Sequence, residues 1–577
     1  MSANRRMILF CGLAFCLLIL SGPIYFYCNH PLLSQADQAI YLDIARLISN
    51  GAVPYQDVFD WNPPLIMYLC VPVVWLARAL SAPEILVFNL TVMLLALLSC
   101  YFSLRLISRH LSGTEALCLT PLVLAAAQYT ATRSVDFGER EHLFVIAYLP
   151  FFILRYLRYR NRSVVAAEAF VVGLFAAIAA MLKPQFVLIM AFVELTFLLK
   201  SPNKNYWQKL YTFEIAALLE VAALYAVALM VLPATVRNIY FGQVLPMYAP
   251  AYEYSQRAFI HLLRNDVLVV QPVMVILAGL ILALLASRLS VLVTASGVIS
   301  VVGLFNYLYG NQAWIYRLIP AEFAAYICAG TVIGALLRRY MVPLKDKKMV
   351  TALALIAMGT FALYCGSQKL IATATDLAHA RMVDMTLTGC QWSSPEGDLD
   401  PLCQSIIANC SRSGSVLLLG TGIGPGYPAL LQSGRRPCGR YLFSIITQVD
   451  YCLARYGGPL WRERLTEVLE QTCADARENP PELIVLQKNP IKAILDREQV
   501  TARLLSGYKE VEEVAGNTIY VKEKSSGGLI DKVEKRKVVL SILSGQSSAD
   551  KQAERLNIDV NEIMRWVRET EAALDAL

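Results

Sequence analysis

The chain has 577 residues, of which 56% are hydrophobic and 16% charged, and its formal net charge is +7 at pH 7. Its mean hydropathy of +0.50 excludes a purely soluble protein and indicates a polytopic α-helical membrane protein. The basic excess does not call for a nucleic-acid partner, because lysine and arginine gather on one side of membrane proteins as topology signals.

The N-terminal segment predicts a retained membrane anchor. It combines two arginines with about 22 apolar positions, which is longer than the apolar core of a signal peptide. Its start is therefore expected in the cytoplasm. A cleaved signal peptide is the alternative interpretation.

Further apolar runs follow along the chain and bring the predicted total to about eleven transmembrane helices within residues 1–365. After the first span, the runs cover 85–104, 114–131, 142–157, 164–182, 185–199, 211–232, 267–286, 290–309, 318–337 and 349–365.

The placement of residues 64–77 decides the topology, because this segment is as apolar as the spans but shorter. If it does not cross, the basic clusters between the spans share a side with the N-terminal arginines, as the positive-inside rule requires. We therefore expect a juxtamembrane or re-entrant helix and one large external loop at 29–84. Five acids are then solvated on the outer face: Asp37, Asp43, Asp57, Asp60 and Glu84.

Residues 366–524 alternate short apolar runs with helical segments, which predicts a small α/β domain with a partly parallel sheet. An odd number of spans places this domain outside the cytoplasm, in the periplasm if the cell has two membranes. Its cysteines form an even set in a compartment that preserves disulfides, so we expect two or three bridges. They are Cys390, Cys403, Cys410, Cys438, Cys452 and Cys473.

The last segment, 525–577, resembles a helix-turn-helix unit of the transposase type, with two helices around a short turn. No predicted span separates this tail from the exported domain. DNA binding is therefore not expected.

Polar motifs recur in the predicted outer loops. The first loop contains "ADQAIYLDIARLISNGAVPYQDVFDWNPPLIMYL", the second contains "RSVDFGEREHLF", and "MLKPQF" and "YRLIPAEFAAY" follow. Their order and spacing resemble the GT-C glycosyltransferases, in the branch of the protein O-mannosyltransferases and the lipid A aminoarabinose and galacturonic acid transferases. The resemblance covers residues 1 to about 340. It implies inverting transfer of a sugar from a polyprenyl-phosphate donor to a glycolipid, polysaccharide or protein acceptor at the outer face of the inner membrane.

The resemblance places Asp37 at the position of the catalytic base, which takes the proton of the acceptor hydroxyl. Asp37 also begins a helix, where a carboxylate serves as a cap, and the two roles can coexist. Asp43 is interpreted as part of a solvated helix face. Relatives carry a lysine before the paired prolines, where this chain has Asn62, so one expected phosphate contact is absent.

The second loop concentrates titratable groups at the start of a span. Asp136, Glu139 and Glu141 are candidates for orienting the acceptor or for binding a divalent cation. Arg140 and His142 are candidates for holding a donor phosphate. The alternative is a charge network at a helix N-terminus, where acids are favoured. Whether a metal is required stays open, and the sequence indicates no certain cofactor.

Two further cations and an aromatic stretch complete the candidate site. Lys183 interrupts an apolar segment near the expected outer interface, where it could meet a lipid phosphate or extend into the interface. Arg317 has a planar fork suited to phosphate. The aromatic stretch at 240–259 could stack on sugar rings, and an interfacial belt explains it equally.

Two other functions compete with glycosyl transfer. A transporter or flippase of lipid-linked glycans would use the acidic loops as gates, but such proteins carry charges at the membrane midplane. The spans here hold few acids away from their ends, namely Glu168, Glu194, Glu214 and Glu220. A membrane-bound regulator that uses the helix-turn-helix tail is the third interpretation.

Overall fold

The structure is a computed structural model. It describes residues 3–30, 32–34, 36–133, 136–202, 206–253, 267–310, 314–341, 347–379, 401–424, 426–443, 445–523, 532–544, 547–556 and 560–575.

A bundle of long helices forms the first part of the chain. In chain order its helices are α1 (Ala3–Asn29), α2 (Ala36–Ser49), α3 (Leu65–Leu80), α4 (Glu84–His110), α5 (Gly113–Thr132), α6 (Arg140–Tyr159), α7 (Ala166–Ala180), α8 (Pro184–Lys200), α9 (Phe213–Met230), α10 (Ala234–Ile239), α11 (Leu245–Glu253), α12 (Val267–Ala286), α13 (Val291–Gly310), α14 (Ile319–Met341) and α15 (Lys347–His379). Short 3₁₀ segments at Tyr206–Leu210 and Ile315–Leu318 and a π-helical turn at Tyr240–Val244 connect them.

Every predicted span coincides with one of these helices. Seven helices in the described ranges are long and apolar enough to cross a membrane: α1, α4, α9, α12, α13, α14 and α15. The other four predicted spans coincide with α5, α6, α7 and α8. Of these, α7 and α8 have only 15 and 17 residues, and α6 carries charged residues near both ends. The predicted polytopic α-helical class is confirmed.

Close helix contacts hold the bundle together. Helix α14 packs along α5, and a Cβ at Gly334 would lie 1.7 Å from the carbonyl oxygen of Cys118. Only glycine permits this approach, which is how membrane helices associate without a hydrophobic driving force. Helix α1 packs against α4, α5 and α15.

Helix α3 is short and stays beside the first loop. Its 16 residues extend about 24 Å, which is less than the ~30 Å of a bilayer core. Tyr55 donates its hydroxyl proton to the carbonyl oxygen of Asn62 (2.7 Å) just before α3, and Arg78 in its last turn donates to Oδ1 of Asn50 (3.0 Å). The last turn of α3 therefore contacts the segment between α2 and α3.

Helix α15 continues to His379, so the predicted boundary near Gly366 lies inside a helix. The α/β domain then begins with α16 (Pro401–Asn409). It continues with β1 (Ser415–Leu419), α17 (Gly426–Ser433), β2 (Arg436–Pro437), α18 (Ile445–Tyr456), α19 (Gly458–Glu478), β3 (Leu483–Gln487), α20 (Ile491–Arg497), α21 (Thr501–Leu505), β4 (Tyr508–Val514) and β5 (Asn517–Lys522).

The sheet of this domain is partly parallel, as predicted. Its strand order is β2-β1-β3-β5-β4. Strand β1 runs parallel to β2 and β3, whereas β5 is antiparallel to β3 and β4. The buried strand β3 pairs Ile484 with Tyr520, which fixes the register at the centre of the sheet.

Four cysteines of the described part of this domain form no disulfide. Cys410, Cys438, Cys452 and Cys473 are free and buried, and Cys403 is also buried. Each thiol lies in the hydrophobic core, and burial raises the pKa of Cys438 and of Cys452 to about 12. Cys390 lies outside the described residues. The expectation of two or three bridges is therefore wrong for the four free cysteines, which serve as small core side chains.

The tail forms α22 (Lys532–Leu543), α23 (Ala549–Leu556) and α24 (Val560–Asp575). The three helices share a small core of their own, made of Val538, Val539, Ala553, Ile563, Trp566 and Val567. Two of them, α23 and α24, are the helices that the sequence predicts around a short turn.

The α/β domain packs on the first loop. Tyr427 donates its hydroxyl proton to Oδ2 of Asp43 at 2.5 Å, and Arg46 donates both to Asp43 and to the carbonyl oxygen of Arg435. The backbone N–H of Phe59 donates to the carbonyl oxygen of Arg440 at 2.9 Å. The domain and the first loop therefore lie at the same end of the bundle.

The contact with the domain corrects the expectation for Asp43. Its side chain is fully buried, so it is not part of a solvated face. The sequence could not reveal this, because the residues that cover Asp43 come from a domain almost four hundred residues away along the chain.

Candidate active site

The first turn of α2 is held against the second loop. Gln38 donates through Nε2 to the carbonyl oxygen of Phe137 at 2.5 Å and to Oε1 of Glu139 at 3.4 Å. Gly138 has φ +81°, and a Cβ there would meet the ring of Phe88 at 2.5 Å, so the turn needs glycine. These contacts bring Asp37 next to the N-terminus of α6.

Asp37 is half-buried in a site that is rich in cations. Burial raises the pKa of its carboxyl, and the positive charges of Arg140 and Lys183 oppose that rise. The charge of Arg317 also lowers the pKa of Asp37. The three cations come from α6, from the start of α8 and from the 3₁₀ turn before α14, so the fold brings together residues that are far apart in sequence.

Arg140 is buried, and only part of its guanidinium group is hydrogen-bonded to described residues. It donates through Nη1 to Oδ1 of Asn62 at 2.6 Å, and its guanidinium lies 5.5 Å from the ring centroid of Tyr41. Its Nε has no hydrogen-bond partner in the described part of the chain. Asn62 thus accepts a hydrogen bond from an arginine and supplies no cation itself.

Lys183 is paired with a residue from the second loop. Its Nζ donates to Oε1 of Glu141 at 2.5 Å and lies 4.9 Å from the ring centroid of Tyr316. Burial and the charge of Arg140 together lower the pKa of Lys183 to about 8. The predicted candidates Lys183 and Glu141 are therefore neighbours that form an ion pair.

Arg317 lies against an aromatic wall. Its guanidinium is 4.9 Å from the ring of Trp314, and its buried Nε has no partner among the described residues. The wall continues from Trp314 to Tyr316 (6.1 Å between centroids), and from Trp314 to Tyr252 (5.3 Å) and Tyr248 (4.5 Å from Tyr252). Part of the predicted aromatic stretch thus lines the site, and its residues from 254 onward lie outside the described ranges.

Three more carboxyl groups lie near Asp37: Asp60 and Glu139 are buried, and Asp136 is half-buried. Burial raises the pKa of Asp60 and of Asp136 to about 6, and it raises the pKa of Glu139 well above its ordinary value. Each has one oxygen without a hydrogen-bond partner in the described ranges. Asp60 accepts from the backbone and side chain of Asn62 at 2.8 Å each. The expectation that Asp60 is solvated is wrong, because the loop folds inward over Arg140.

His142 is held by the second loop. The backbone N–H of Gly138 donates to its Nδ1 at 3.0 Å, which requires a neutral imidazole with its proton on Nε2. The ring packs against Phe137. Its buried Nε2–H has no hydrogen-bond partner in the described ranges, so the phosphate contact suggested for His142 stays a prediction.

The metal candidates are not gathered into a ligand set. In the ranges that the structure describes, no group of three His, Cys, Asp or Glu side chains is arranged to hold a metal ion. Asp136, Glu139 and Glu141 lie in one loop, but Glu141 pairs with Lys183 and Glu139 accepts from Gln38.

Sequence reasoning missed three contributors to this site. Gln38 positions the loop, Tyr41 lies beside the guanidinium of Arg140, and Tyr316 lies beside Lys183. The signal for Tyr316 was its place next to Arg317 in the motif "YRLIP". Nothing in the sequence marked Gln38 or Tyr41.

The chain has the fold of the GT-C membrane glycosyltransferases. ArnT from Cupriavidus metallidurans in the apo state matches with a TM-score of 0.53 and 13% identity, over 88% of this chain and 97% of that one. This match carries the conclusion on the fold.

Other solved structures match with lower scores. ArnT from the same organism bound to undecaprenyl phosphate gives a TM-score of 0.46 at 13% identity, over 91% of this chain and 99% of that one. The arabinofuranosyltransferase AftD from Mycobacteria gives 0.41 at 14% identity, over 91% of this chain and 40% of that one. No protein-family model and no curated protein sequence matches the chain.

Proposed function

We propose that the protein is a glycosyltransferase that moves a sugar from a polyprenyl-phosphate donor to an acceptor hydroxyl at the outer face of the membrane. The observation that carries this proposal is the position of Asp37. A half-buried carboxylate lies in one site with Arg140, Lys183 and Arg317. A base for the acceptor and cations for the departing phosphate are the two groups that this transfer needs.

The chemistry follows from these groups. The acceptor oxygen attacks the anomeric carbon, and its proton passes to the carboxylate of Asp37. The bond between the anomeric carbon and the phosphate oxygen breaks, and polyprenyl phosphate leaves with the electron pair. Arg140 and Arg317 each have a buried Nε free of protein partners in the described ranges, so both can donate to the phosphate as its charge develops. Attack from the face opposite the phosphate inverts the anomeric centre.

The aromatic wall supports a sugar ligand. Trp314, Tyr316 and Tyr252 present rings beside the cations, and aromatic faces pack well on the apolar faces of pyranose and furanose rings. Buried carboxyl oxygens without partners, on Asp60 and Glu139, offer acceptors for sugar hydroxyls. The acceptor could be a glycolipid such as lipid A, a polysaccharide or a protein.

The distribution of arginines supports an outward-facing site. Arg160 follows α6 and Arg338 lies near the end of α14, whereas the site residues Arg140 and Arg317 stand at the starts of these segments. Basic residues at the end away from Asp37 agree with the positive-inside rule. In this topology the N-terminus is cytoplasmic, and the first loop and the α/β domain are periplasmic or extracellular.

The test compares envelope glycans from cells that carry the wild-type protein, Asp37→Asn, Asp57→Asn or no protein. Asp57 belongs to the same loop, is exposed and accepts from the N–H of Val53 at 2.8 Å, which asparagine can also do. It is the matched control. We expect Asp37→Asn to give the glycan profile of cells without the protein, and Asp57→Asn to give the wild-type profile. Full activity of Asp37→Asn would refute the proposed base.

A flippase would translocate the lipid without cleaving it. The structure offers little for such gating, because Glu194 and Glu214 are both paired with Arg155 at 2.7 Å. Release of polyprenyl phosphate by purified protein separates the functions, since only a transferase breaks the sugar–phosphate bond.

A further inference from the structure

A basic cavity lies at the end of the bundle away from Asp37. Its volume is about 640 Å³, and the side chains of Arg160, Arg288, Arg338, Arg339 and Glu115 line it together with apolar groups such as Leu119. These residues come from α5, α14 and the segments that follow α6 and α12. The fold therefore brings four separate segments of the chain together around one cavity.

The distance between this cavity and the candidate active site is set by two helices. Helix α6 begins with Arg140 in the active site and ends at Tyr159, which lines the cavity. Its 20 residues span about 30 Å, which equals the thickness of a bilayer core. Helix α14 likewise begins next to Arg317 and carries Arg338 near its end. The cavity is therefore a separate site at the opposite membrane surface.

Among the described residues, the positive side chains that line the cavity outnumber the negative ones. Glu115 is the acidic residue in the lining, and both its oxygens are engaged: Oε1 accepts from Arg160 at 2.9 Å, and Oε2 accepts from Ser112 at 3.1 Å. Arg288, Arg338 and Arg339 have no ion pair within the described ranges. Convergent guanidinium groups without carboxylates favour an anion, and their planar fork fits phosphate oxygens.

The apolar residues of the lining indicate which class of anion fits the cavity. Leu111, Leu119, Leu289 and Val291 also line the cavity. A cavity lined by both cations and apolar groups suits an amphiphile, with its phosphate on the arginines and its chains on the apolar groups. We propose that this cavity binds the phosphate head group of an anionic phospholipid from the inner leaflet. The proposal does not depend on the function of the Asp37 site.

The test uses the full-length protein purified in detergent and measures lipid retention by native mass spectrometry. The probes are phosphatidylglycerol, phosphatidylcholine and inorganic phosphate. The wild-type protein is expected to retain phosphatidylglycerol in preference to phosphatidylcholine. Loss of two arginines in the double variant Arg338→Gln/Arg339→Gln is expected to weaken this retention about 30-fold.

Two controls keep the result specific. Arg455→Gln removes an exposed arginine of the α/β domain and is expected to retain phosphatidylglycerol like the wild type. Arg338→Lys/Arg339→Lys keeps both charges and should retain most of the binding, which separates loss of charge from misfolding. Equal retention of the two lipids, or unchanged retention by the double glutamine variant, would overturn the proposal. Displacement of the lipid by inorganic phosphate at equal concentration would also overturn it, in favour of a soluble cytoplasmic anion.

Discussion

The hydroxyl of Tyr427 in the α/β domain donates a 2.5 Å hydrogen bond to Oδ2 of Asp43 in helix α2. The same helix carries Asp37 in its first turn. Arg46 completes the contact by pairing with Asp43 and donating to the carbonyl oxygen of Arg435. Asp37 is thus fixed from both sides, by the α/β domain through Asp43 and by the second loop through Gln38.

Tyr427→Phe removes this link without changing the shape of the side chain. A buried hydrogen bond to a charged group is worth about 1.5–3 kcal/mol, so we expect a lower melting temperature and weaker transfer activity. The control is Tyr508→Phe, which deletes a 2.7 Å hydrogen bond to the carbonyl oxygen of Pro481 inside the domain. That variant should lose stability but keep the activity of its folded fraction. Equal activity of the two folded variants would show that the domain does not position α2.

The pH dependence of transfer should show two limbs. Asp37 must be deprotonated to act as a base, and its pKa is raised by burial, so activity should fall on acidification above the ordinary carboxyl range. Lys183 must be protonated to attract phosphate, and its pKa is lowered to about 8, so activity should fall as pH rises through that value. Rates across the pH range test both limbs.

Lys183→Arg gives the alkaline limb an internal control. Arginine stays protonated throughout the accessible range, so the decline near pH 8 should disappear while the acidic limb remains. An unchanged alkaline limb in this variant would assign it to another group.

Asn62→Lys tests the position before the paired prolines. In this chain Asn62 accepts from Arg140 at 2.6 Å, so a lysine would place like charges together in a buried site. We expect the variant to be less stable and at least tenfold less active. Adding Arg140→Gln removes the repulsion and moves the cation to position 62, so the double variant should regain activity relative to Asn62→Lys alone. Additive losses would argue against an interaction between the two positions.

Asp60→Asn tests the buried carboxyl beside Arg140. Its pKa is raised to about 6 in the folded protein, so the folded state binds the proton more tightly than the unfolded state. Stability is therefore lost as pH rises from about 4 to about 6, by roughly 2–3 kcal/mol for this group. The asparagine variant should melt higher than the wild type at pH 7 and similarly at pH 4. A lower melting temperature at both values would contradict this assignment.

Hydropathy was sufficient to predict the helices of the bundle. A long apolar segment in a bilayer must satisfy its backbone hydrogen bonds internally, so it forms a helix. Such helices are therefore predictable from the local sequence. The partly parallel sheet was also predictable, since short apolar runs alternate with helices.

Burial of polar groups was not predictable, because it depends on contacts between distant residues. Asp43 is covered by Tyr427, Glu141 binds Lys183, and Asp60 folds over Arg140. The local pattern described Asp43 and Asp60 as solvated acids and Glu141 as a candidate for orienting the acceptor or binding a cation. The cysteines are a similar case. An even number of cysteines in an exported domain does not tell whether two thiols pack next to each other.

The central claim is that Asp37 takes a proton during cleavage of a sugar–phosphate bond. The most direct measurement is the pool of polyprenyl-phosphate sugars in lipid extracts of cells that express either the wild-type protein or Asp37→Asn. Our account predicts that one such lipid accumulates in the Asp37→Asn cells and that its sugar disappears from the envelope glycans. Identical lipid pools and identical glycans in the two strains would contradict it.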